Sequence, residues 1–493
     1  MTEARGGTRT RGAIIGSAAW AMAEAGTLAV VSFGTLLAMA WLLGPVEFGI
    51  AATALTVVQL LLVLVGAGLV SGPLIQREDL RQEHVDSVFW TAFGIASLLV
   101  VACWLGADDL ARRLGQPALA PVLSVFSLML LPTAYESVQV ALMRRDFGFR
   151  QIAIRTFVSR VAGAGLGIAV ALMDGGPWSI VAQHLATVVV SVAILRAWTH
   201  RRIGLRIRRG ALRDVMGFSA PAMLTEAMSA GGPRLLQFVA AFLLGPQGFA
   251  FLHIGLRLVD TLRELVTDLA NNFAFPIFAR VQEDRPRLAS HFLTATATLC
   301  AVGMPAFLGL AAFADILVPA LIGPAWAEAI PVVRVLAFGA AIGFVGAFCV
   351  PLLWAMGRPA TWLAPRAFDL AVALVVLLLL APHGPTMAAI AWAARQVLEL
   401  VFALVICPRV VPVSAAMLVR AAALPALLAV ALVLALVVVE REMLAGLGGI
   451  TQVGILALLG AMLTMLATGA VQPVLAQAVV GWMRPRASRR EGR

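Results

Sequence analysis

Residues 243–249 read LLGPQGF, and residues 42–48 read LLGPVEF, so the same pattern occurs twice in this chain. In both copies a long apolar run ends at adjacent glycine and proline residues, which stop a helix, and a phenylalanine then opens the next apolar run. The repeated turn predicts that the chain consists of two copies of one unit, each with a pair of apolar helices joined at this turn.

The composition indicates a membrane protein. Of the 493 residues, 61% are apolar and only 13% are charged, and apolar runs of membrane-spanning length recur along the whole chain. The first of these runs, residues 12–43, is longer than the apolar part of a cleaved signal peptide and contains Glu24, so we expect no cleaved leader. The four cysteines occupy separate apolar segments, so the sequence predicts no metal site, no disulfide framework and no cofactor.

The apolar runs predict an all-α, polytopic membrane protein with about 14 transmembrane helices joined by short connections. The predicted spans lie at residues 13–42, 47–72, 85–106, 117–141, 151–173, 178–198, 216–243, 248–274, 289–312, 327–355, 361–381, 386–406, 415–439 and 450–471.

The distribution of arginine sets the predicted orientation. If the N-terminus is inside, the inner connections hold most arginines outside the spans, including the Arg-rich stretch 199–213, while the outer connections hold only Arg112, Arg113 and Arg441. Because arginine is enriched on the cytoplasmic side, the sequence predicts that both termini are inside. A surface helix at 248–274 is an alternative, because a charge at the centre of a span costs about 2.5–3.5 kcal/mol. That alternative would place the later arginines outside.

The repeat contains six predicted spans per copy. An even number makes both copies enter the membrane in the same direction, so we expect two parallel six-helix lobes with a cavity between them, followed by two extra C-terminal helices. The predicted domains are an N-lobe at 1–198, a cytoplasmic Arg-rich linker at 199–215, a C-lobe at 216–406, and the last two spans with a basic cytoplasmic tail at 407–493.

Five motifs in this order resemble the bacterial polysaccharide exporter family of the multidrug/oligosaccharidyl-lipid/polysaccharide (MOP) flippase superfamily. They read LGPVEFG at 43–49, PLIQR at 73–77, FW at 89–90, ALMRRDFGFR at 141–150 and PVVRVLA at 331–337. The resemblance implies translocation of undecaprenyl-pyrophosphate-linked oligosaccharide across the cytoplasmic membrane for exopolysaccharide, capsule or O-antigen biosynthesis. The implied partners are this substrate and membrane lipids, with the polysaccharide polymerase or export machinery as a further candidate and no nucleic acid.

A polar stripe follows the second copy of the turn. Within the predicted eighth span, one helix face holds Arg257, Asp260, Glu264, Asp268 and Asn271. Ionisable groups inside a span cost free energy, so the stripe is interpreted as a cavity wall that holds an anionic head group and passes a coupling ion. The alternative is a structural stripe that neutralises itself through an Arg257–Asp260 pair.

Arg234 lies about as far before the turn as Arg257 lies after it, so we expect the two at a similar depth in the membrane. The sequence places no acidic residue within one helical turn of Arg234. Two arginines would suit a pyrophosphate, which guanidinium groups bind through paired hydrogen bonds. Arg234 and Arg257 are therefore the candidate substrate-binding residues, and a pair between Arg234 and Glu226 or Asp260 is the alternative.

Glu24 and Glu226 occupy matching places in the two copies. With Asp260, Glu264 and Asp268 they are the candidate cavity and ion-coupling residues, which would carry a proton or Na⁺. The alternative for Glu24 and Glu226 is a protonated, hydrogen-bonded carboxyl between helices.

The remaining charges inside the spans receive structural interpretations. Arg155 and Arg160 are expected to extend toward the inner surface of the membrane. Ion pairs inside the bundle are predicted for Glu136, for Arg366 with Asp369, and for Arg395 with Glu399.

These features together predict a flippase that works by alternating access and is not an enzyme. A drug/cation antiporter of the same superfamily is the nearest alternative, although it would use an acidic pocket without paired arginines. A membrane glycosyltransferase or ligase would need a large loop domain or a catalytic cluster. A scaffold without transport would leave the charges inside the spans unexplained.

Overall fold

The structure is a computed structural model that describes residues 30–67, 70, 74, 80–146, 148–199, 203–204, 209–444 and 449–471. By its internal contacts the chain divides into two compact units. The first comprises Met1–Ile254 with Leu374–Ala388, and the second comprises Gly255–Ala373 with Ala389–Arg493. The lobe boundaries given above stay a prediction.

The first unit is built from helices that begin and end close to the predicted spans. In order they are α1 (Val30–Leu42), α2 (Pro45–Leu62), α3 (Gln82–Arg113), α4 (Leu119–Ser127), α5 (Leu130–Arg145), α6 (Phe149–Leu172) and α7 (Trp178–Trp198). A π-helical segment, Val63–Ala67, continues α2. Helices α6 and α7 pack closely because Gly163 and Gly167, one turn apart on α6, let the side chains of α7 approach the backbone.

The first copy of the turn separates α1 from α2. Gly44 has an extended backbone (φ −68°, ψ 164°), and Pro45 occupies the first turn of α2, where its missing N–H costs no hydrogen bond. Helix α2 is largely buried in the first unit.

The second copy of the turn breaks helix α8 (Arg209–Arg280). Gly245 has φ 68° and ψ −176°, a conformation that favours glycine, while the residues on both sides of it are helical. A straight helix of 72 residues would be about 108 Å long, far more than the roughly 40–45 Å of a bilayer with its head groups. The break therefore divides α8 into two arms, and the predicted connection between residues 243 and 248 is a single non-helical residue rather than a loop.

The two copies of the turn also pack against each other. A Cβ added to Gly49 would lie 1.9 Å from the carbonyl oxygen of Pro246, so only glycine permits this approach of the two backbones. The buried ring of His253 lies 6.1 Å from that of Phe48 and 5.5 Å from that of Phe249, measured between centroids. The two phenylalanines that define the repeat thus contact one histidine.

The second unit contains most of the remaining helices, and the end of α13 and the start of α14 belong to the first. They are α9 (Arg285–Ala312), α10 (Ala314–Ile322), α11 (Ile330–Gly343), α12 (Cys349–Ala355), α13 (Leu363–Leu380), α14 (Pro385–Val410), α15 (Ala415–Val439) and α16 (Gly449–Val471). Short 3₁₀ segments lie at Pro324–Ala329, Pro359–Trp362 and Ala381–His383, and a π-helical segment, Glu440–Leu444, continues α15. Helices α15 and α16, the two predicted extra spans, pack against α9, and Phe313 lies in an apolar cluster with Leu436 and Leu456.

Within the described residues, 11 helices are long and apolar enough to cross a membrane, and Val30–Leu42 and Thr451–Leu466 are shorter apolar helices. The count differs from the predicted 14 for three reasons. The two predicted spans on α8 form one helical element, most of the predicted first span lies outside the described residues, and the last span is short by length. The all-α, polytopic fold is confirmed, and the number of spans stays a prediction.

Candidate functional site

Arg234 lies on the first arm of α8 and is half-buried. Its Nη1 donates a hydrogen bond to Oε1 of Gln237, at 3.0 Å, and Gln237 is itself buried. The side chain of Glu226 lies outside the described residues, so a pair between Arg234 and Glu226 stays a prediction. Gln237 lies three residues after Arg234, about one helical turn further along the same helix. A polar residue at this spacing in an apolar span is the sequence signal that could have identified the partner of Arg234.

Arg257 lies on the second arm of α8 and is half-buried. Among the residues that the structure describes, no hydrogen-bond acceptor or carboxylate contacts its guanidinium group. Asp260, its expected partner, instead pairs with Arg263, with 3.5 Å between Oδ1 and Nη2. The described residues therefore leave a positive charge unneutralised inside an apolar helix.

Helix geometry explains why Asp260 pairs with Arg263. Side chains on an α-helix lean toward its N-terminus, so an arginine reaches back to an acid three residues earlier. An arginine can also extend forward by three residues, as Arg234 does to Gln237, but the carboxylate of Asp260 is held by Arg263. The Arg257–Asp260 pair suggested as a structural alternative is therefore absent from the described residues.

The other candidate coupling residues are only partly described. Glu264 is exposed on α8. Glu226 and Asp268 also lie on α8, but their side chains are outside the described residues, and Glu24 is outside them altogether. The stripe as a whole therefore stays a prediction, as does the role of these acids.

In the first unit, Arg155 is buried in an ion pair. Its Nη1 lies 2.7 Å from Oε1 of Glu136 on α5 and 3.2 Å from Oγ of Ser191 on α7, and Ser191 donates to the same carboxylate at 2.8 Å. The expectation that Arg155 extends to the membrane surface is wrong, because a carboxylate and a hydroxyl on neighbouring helices neutralise and bind it inside the bundle. The predicted internal pair of Glu136 is confirmed.

In the second unit, α13 and α14 share a cluster of four charges, which we call the α13–α14 charge cluster. Its strong contacts cross between the helices: Nη1 of Arg366 lies 2.7 Å from Oε1 of Glu399, and Nε of Arg395 lies 3.0 Å from Oδ2 of Asp369. The predicted pairs within each helix are also present, but they are longer, at 3.9 Å for Arg366–Asp369 and 3.7 Å for Arg395–Glu399. Two arginines and two acids make the cluster neutral.

Two of the cysteines also meet in the second unit. Sγ of Cys407 on α14 lies 3.1 Å from Sγ of Cys349 on α12, and both thiols are free and buried. The sequence shows these cysteines only as single residues in separate apolar segments. Both thiols are free, so this contact leaves the expectation of no disulfide framework a prediction.

The apolar helices define a polytopic membrane protein, and the second arm of α8 carries charged side chains in it. Residues 38–331 match the family described as "Polysaccharide biosynthesis protein". The chain belongs to this family, and the resemblance to polysaccharide exporters is confirmed.

Individual relatives agree with this assignment. The succinoglycan biosynthesis transport protein ExoT of Rhizobium meliloti (strain 1021) is 29% identical over 360 residues, which is 70% of each chain. The structure of the lipid II flippase MurJ in an inward closed conformation has a TM-score of 0.74 at 11% identity, covering 93% of this chain and 99% of that one. An inward-facing multidrug resistance MATE family transporter of the MOP superfamily has a TM-score of 0.61 at 18% identity, covering 78% and 94%.

These similarities and the apolar helices make the chain a multi-pass inner-membrane protein that takes part in polysaccharide biosynthesis. At such low identity, the two solved structures show the fold alone. The cargo must therefore be argued from the residues of this chain.

Proposed function

We propose that this chain is a flippase that moves undecaprenyl-pyrophosphate-linked oligosaccharide from the inner to the outer leaflet by alternating access. The observation that carries the proposal is Arg257, whose charge no described residue neutralises. An uncompensated arginine inside a span is expensive unless an anion or water reaches it. A transporter with an anionic cargo supplies that anion in each cycle.

The chemistry of pyrophosphate fits the two arginines. A guanidinium group presents its N–H donors in a planar fork that matches two phosphate oxygens, and it keeps its charge at every physiological pH. Arg234 supplies the second fork, held by Gln237. The similarity to a succinoglycan biosynthesis transport protein supports a glycan cargo.

The proposal also gives the acidic residues a role in ion coupling and places the termini relative to the membrane. Asp260, Glu264, Asp268, Glu24 and Glu226 carry the coupling ion, while the glycan passes through a cavity between two six-helix lobes. Both termini lie inside, as the arginine distribution requires. The chain performs no covalent chemistry, and a polymerase or export complex takes up its product.

Substitution of Arg257 tests the proposal in a strain that lacks the chain's own gene. Arg257→Ala should lower polysaccharide export per molecule of protein by about 10- to 100-fold, the equivalent of losing a charged, paired hydrogen bond. Arg257→Lys should keep part of the export, because lysine retains the charge without the planar fork. Arg234→Ala should resemble Arg257→Ala, and the double alanine variant should be little worse, since both residues act on one ligand.

Arg334→Ala is the matched control, because Arg334 forms an exposed pair with Asp315 in the same unit as Arg257. It should export normally. Recovery of export in Arg257→Ala/Asp260→Asn would mean that Arg257 only balances the charge of Asp260. The proposed binding of pyrophosphate by Arg257 would then be rejected.

Cysteine labelling tests the orientation. All four native cysteines are buried, so a membrane-impermeant maleimide should react little with the unmodified chain. Glu283→Cys and His383→Cys introduce exposed thiols between α8 and α9 and between α13 and α14. We expect the thiol introduced at position 383 to be labelled from outside only, and the thiol introduced at position 283 from inside only. Labelling of both positions from one side would refute the predicted topology.

A further inference from the structure

The connection between α7 and α8, the predicted linker, is held to α3 at Gly204. The N–H of Gly204 donates to Oδ1 of Asp86, at 2.9 Å, and its carbonyl oxygen accepts from Nε1 of Trp90, at 2.8 Å. Asp86 and Trp90 lie four residues apart on α3 and so present both partners on one face of the helix. Both backbone groups of a single linker residue are therefore bound by side chains of a membrane-spanning helix.

We call these two hydrogen bonds of Gly204, to Asp86 and to Trp90, the clasp. The side chains of Asp86 and Trp90 are fixed by their own neighbours. Asp86 is 1% exposed, and its Oδ1 also accepts from Nε2 of Gln82, at 2.7 Å. The Trp90 ring packs edge-on against Phe89 and Phe93, at centroid distances of 5.1 and 5.7 Å, which orients its N–H toward the linker. Phe89 and Trp90 form the FW motif, which the transport mechanism proposed above does not use.

Gly204 is the residue that lets the clasp close. A Cβ at this position would lie 2.5 Å from Oδ2 of Asp86, closer than such atoms approach in proteins. Because Asp86 is buried and held by Gln82, it has little freedom to move away. A larger residue at position 204 would therefore separate the linker from α3.

The clasp shortens the tether to the helix that carries both candidate arginines. Between Thr199, which follows α7, and the start of α8 at Arg209, the chain can reach at most about 36 Å, at about 3.6 Å per residue. From Gly204 to Arg209 it can reach at most about 18 Å. The hydrogen bonds at Gly204 thus halve the distance over which the start of α8 can move from its attachment.

We propose that Asp86, Trp90 and Gly204 are positioning residues for transport, because their clasp makes Gly204 the point from which α8 is tethered. This role rests on the proposed flippase function. Residues between Thr199 and Gly204 then have no influence on the reach of α8, while the residues between Gly204 and Arg209 determine it. The five-residue connection from Gly204 to Arg209 then limits how far the start of α8 can move.

Insertions on the two sides of Gly204 test this division. An eight-residue Gly/Ser insertion between Gly204 and Leu205 should lower export about fourfold, because the effective concentration of a tethered group falls as roughly the −3/2 power of tether length. The same insertion between Arg202 and Ile203 should leave export within about 1.5-fold of the unmodified chain, since the clasp isolates it from α8. Export per molecule of membrane protein is measured in the strain that lacks the chain's own gene.

Opening the clasp should make the two insertion sites equivalent. In an Asp86→Ala/Trp90→Phe background, either insertion should lower export to the same level, about sevenfold below the unmodified chain. Gly204→Val opens the clasp from the linker side and should also make the two insertions equivalent. It replaces the double variant in the test if that variant folds poorly. Trp104→Phe is the matched control, because Trp104 on the same helix also donates its indole N–H to a backbone carbonyl, that of Ser124. In this background the two insertions should remain different.

Equal effects of the two insertions in the unmodified chain would overturn the positioning role. Unequal effects that persist after the clasp is opened would overturn the assignment to Asp86 and Trp90. Failure of the flippase function has a separate signature, which is that the unmodified chain does not restore export to the strain without its gene.

Discussion

The charged stretch of α8 and the α13–α14 charge cluster lie in the same unit, and both place arginines and acids inside apolar helices. In the cluster, every arginine has an acid within 3.0 Å, and Asp369 is 1% exposed. On α8, Asp260 pairs with Arg263 at 3.5 Å, both side chains are about a third exposed, and Arg257 contacts no acid among the described residues. The two regions therefore contain the same residue types but differ in how completely their charges are paired and buried.

Pairing decides what each region contributes. A buried pair across two helices holds those helices in register, and removal of one partner leaves a buried charge that destabilises the fold. An arginine without a partner contributes nothing of this kind, and its cost is offset by water or, in the proposed function, by the anionic cargo. We expect substitutions in the α13–α14 charge cluster to reduce the amount of folded protein, and substitutions on α8 to reduce export at normal protein levels.

The largest effect on stability is expected for Arg395→Ala. It leaves Asp369 buried without its closest partner, which should destabilise the protein by about 3–5 kcal/mol, a large share of the stability of a typical domain. Thermal unfolding of the detergent-solubilised protein measures the loss. Asp369→Leu/Arg395→Leu should be much closer to the unmodified chain, because it removes both charges. A double variant as unstable as the single one would show that the pair itself stabilises the fold.

A smaller effect is expected for Glu136→Gln in the first unit. The amide oxygen can still accept from Arg155 and Ser191, so only the charge of the acceptor is lost, at about 1–3 kcal/mol. Thermal unfolding again measures the change. Ser137→Ala, one residue further on α5, is the control, because it removes only a hydroxyl bonded to the carbonyl of Thr133 in its own helix. If the two variants melt at the same temperature, the Glu136–Arg155 pair adds nothing to stability.

The smallest effect on stability is expected for Asp260→Asn. Its pair with Arg263 is long and exposed, so we expect a loss of at most about 1 kcal/mol. Export per folded molecule should nevertheless fall, because Asp260 belongs to the proposed coupling stripe. Asp369→Asn should show the opposite pattern, with less folded protein and unchanged export per molecule. Equal export per folded molecule in both variants would remove the functional distinction between the two regions.

Local signals predicted the position of most helices, although the predicted span 117–141 is divided between α4 and α5. The seventh helix, Trp178–Trp198, coincides with the predicted span 178–198, because apolar length and flanking turns are properties of neighbouring residues. The break at Gly245 follows from the Gly-Pro pair in the same way. Family membership was also predictable, since its motifs are short and ordered along the chain.

The contacts between helices could not be predicted from sequence spacing. Periodicity relates residues three or four positions apart, so it favours Arg366–Asp369 and Arg395–Glu399, whereas the shorter contacts cross from α13 to α14. Arg155 could not be matched with Ser191 on α7 for the same reason. The hydrogen bonds of Gly204 to Asp86 and Trp90 join residues more than a hundred positions apart, and the FW motif marks Trp90 without indicating what it contacts.

The contact between the thiols of Cys349 and Cys407 has a practical consequence for experimental structure determination. In a chain that is 61% apolar, long helices offer few bulky landmarks, so the register of a helix is difficult to assign in a density map of modest quality. Two thiols that face each other on different helices can bind one mercury ion after moving somewhat further apart, because thiolates are ligands for soft metal ions. A single heavy-atom peak between α12 and α14 would then mark the register of both helices at once.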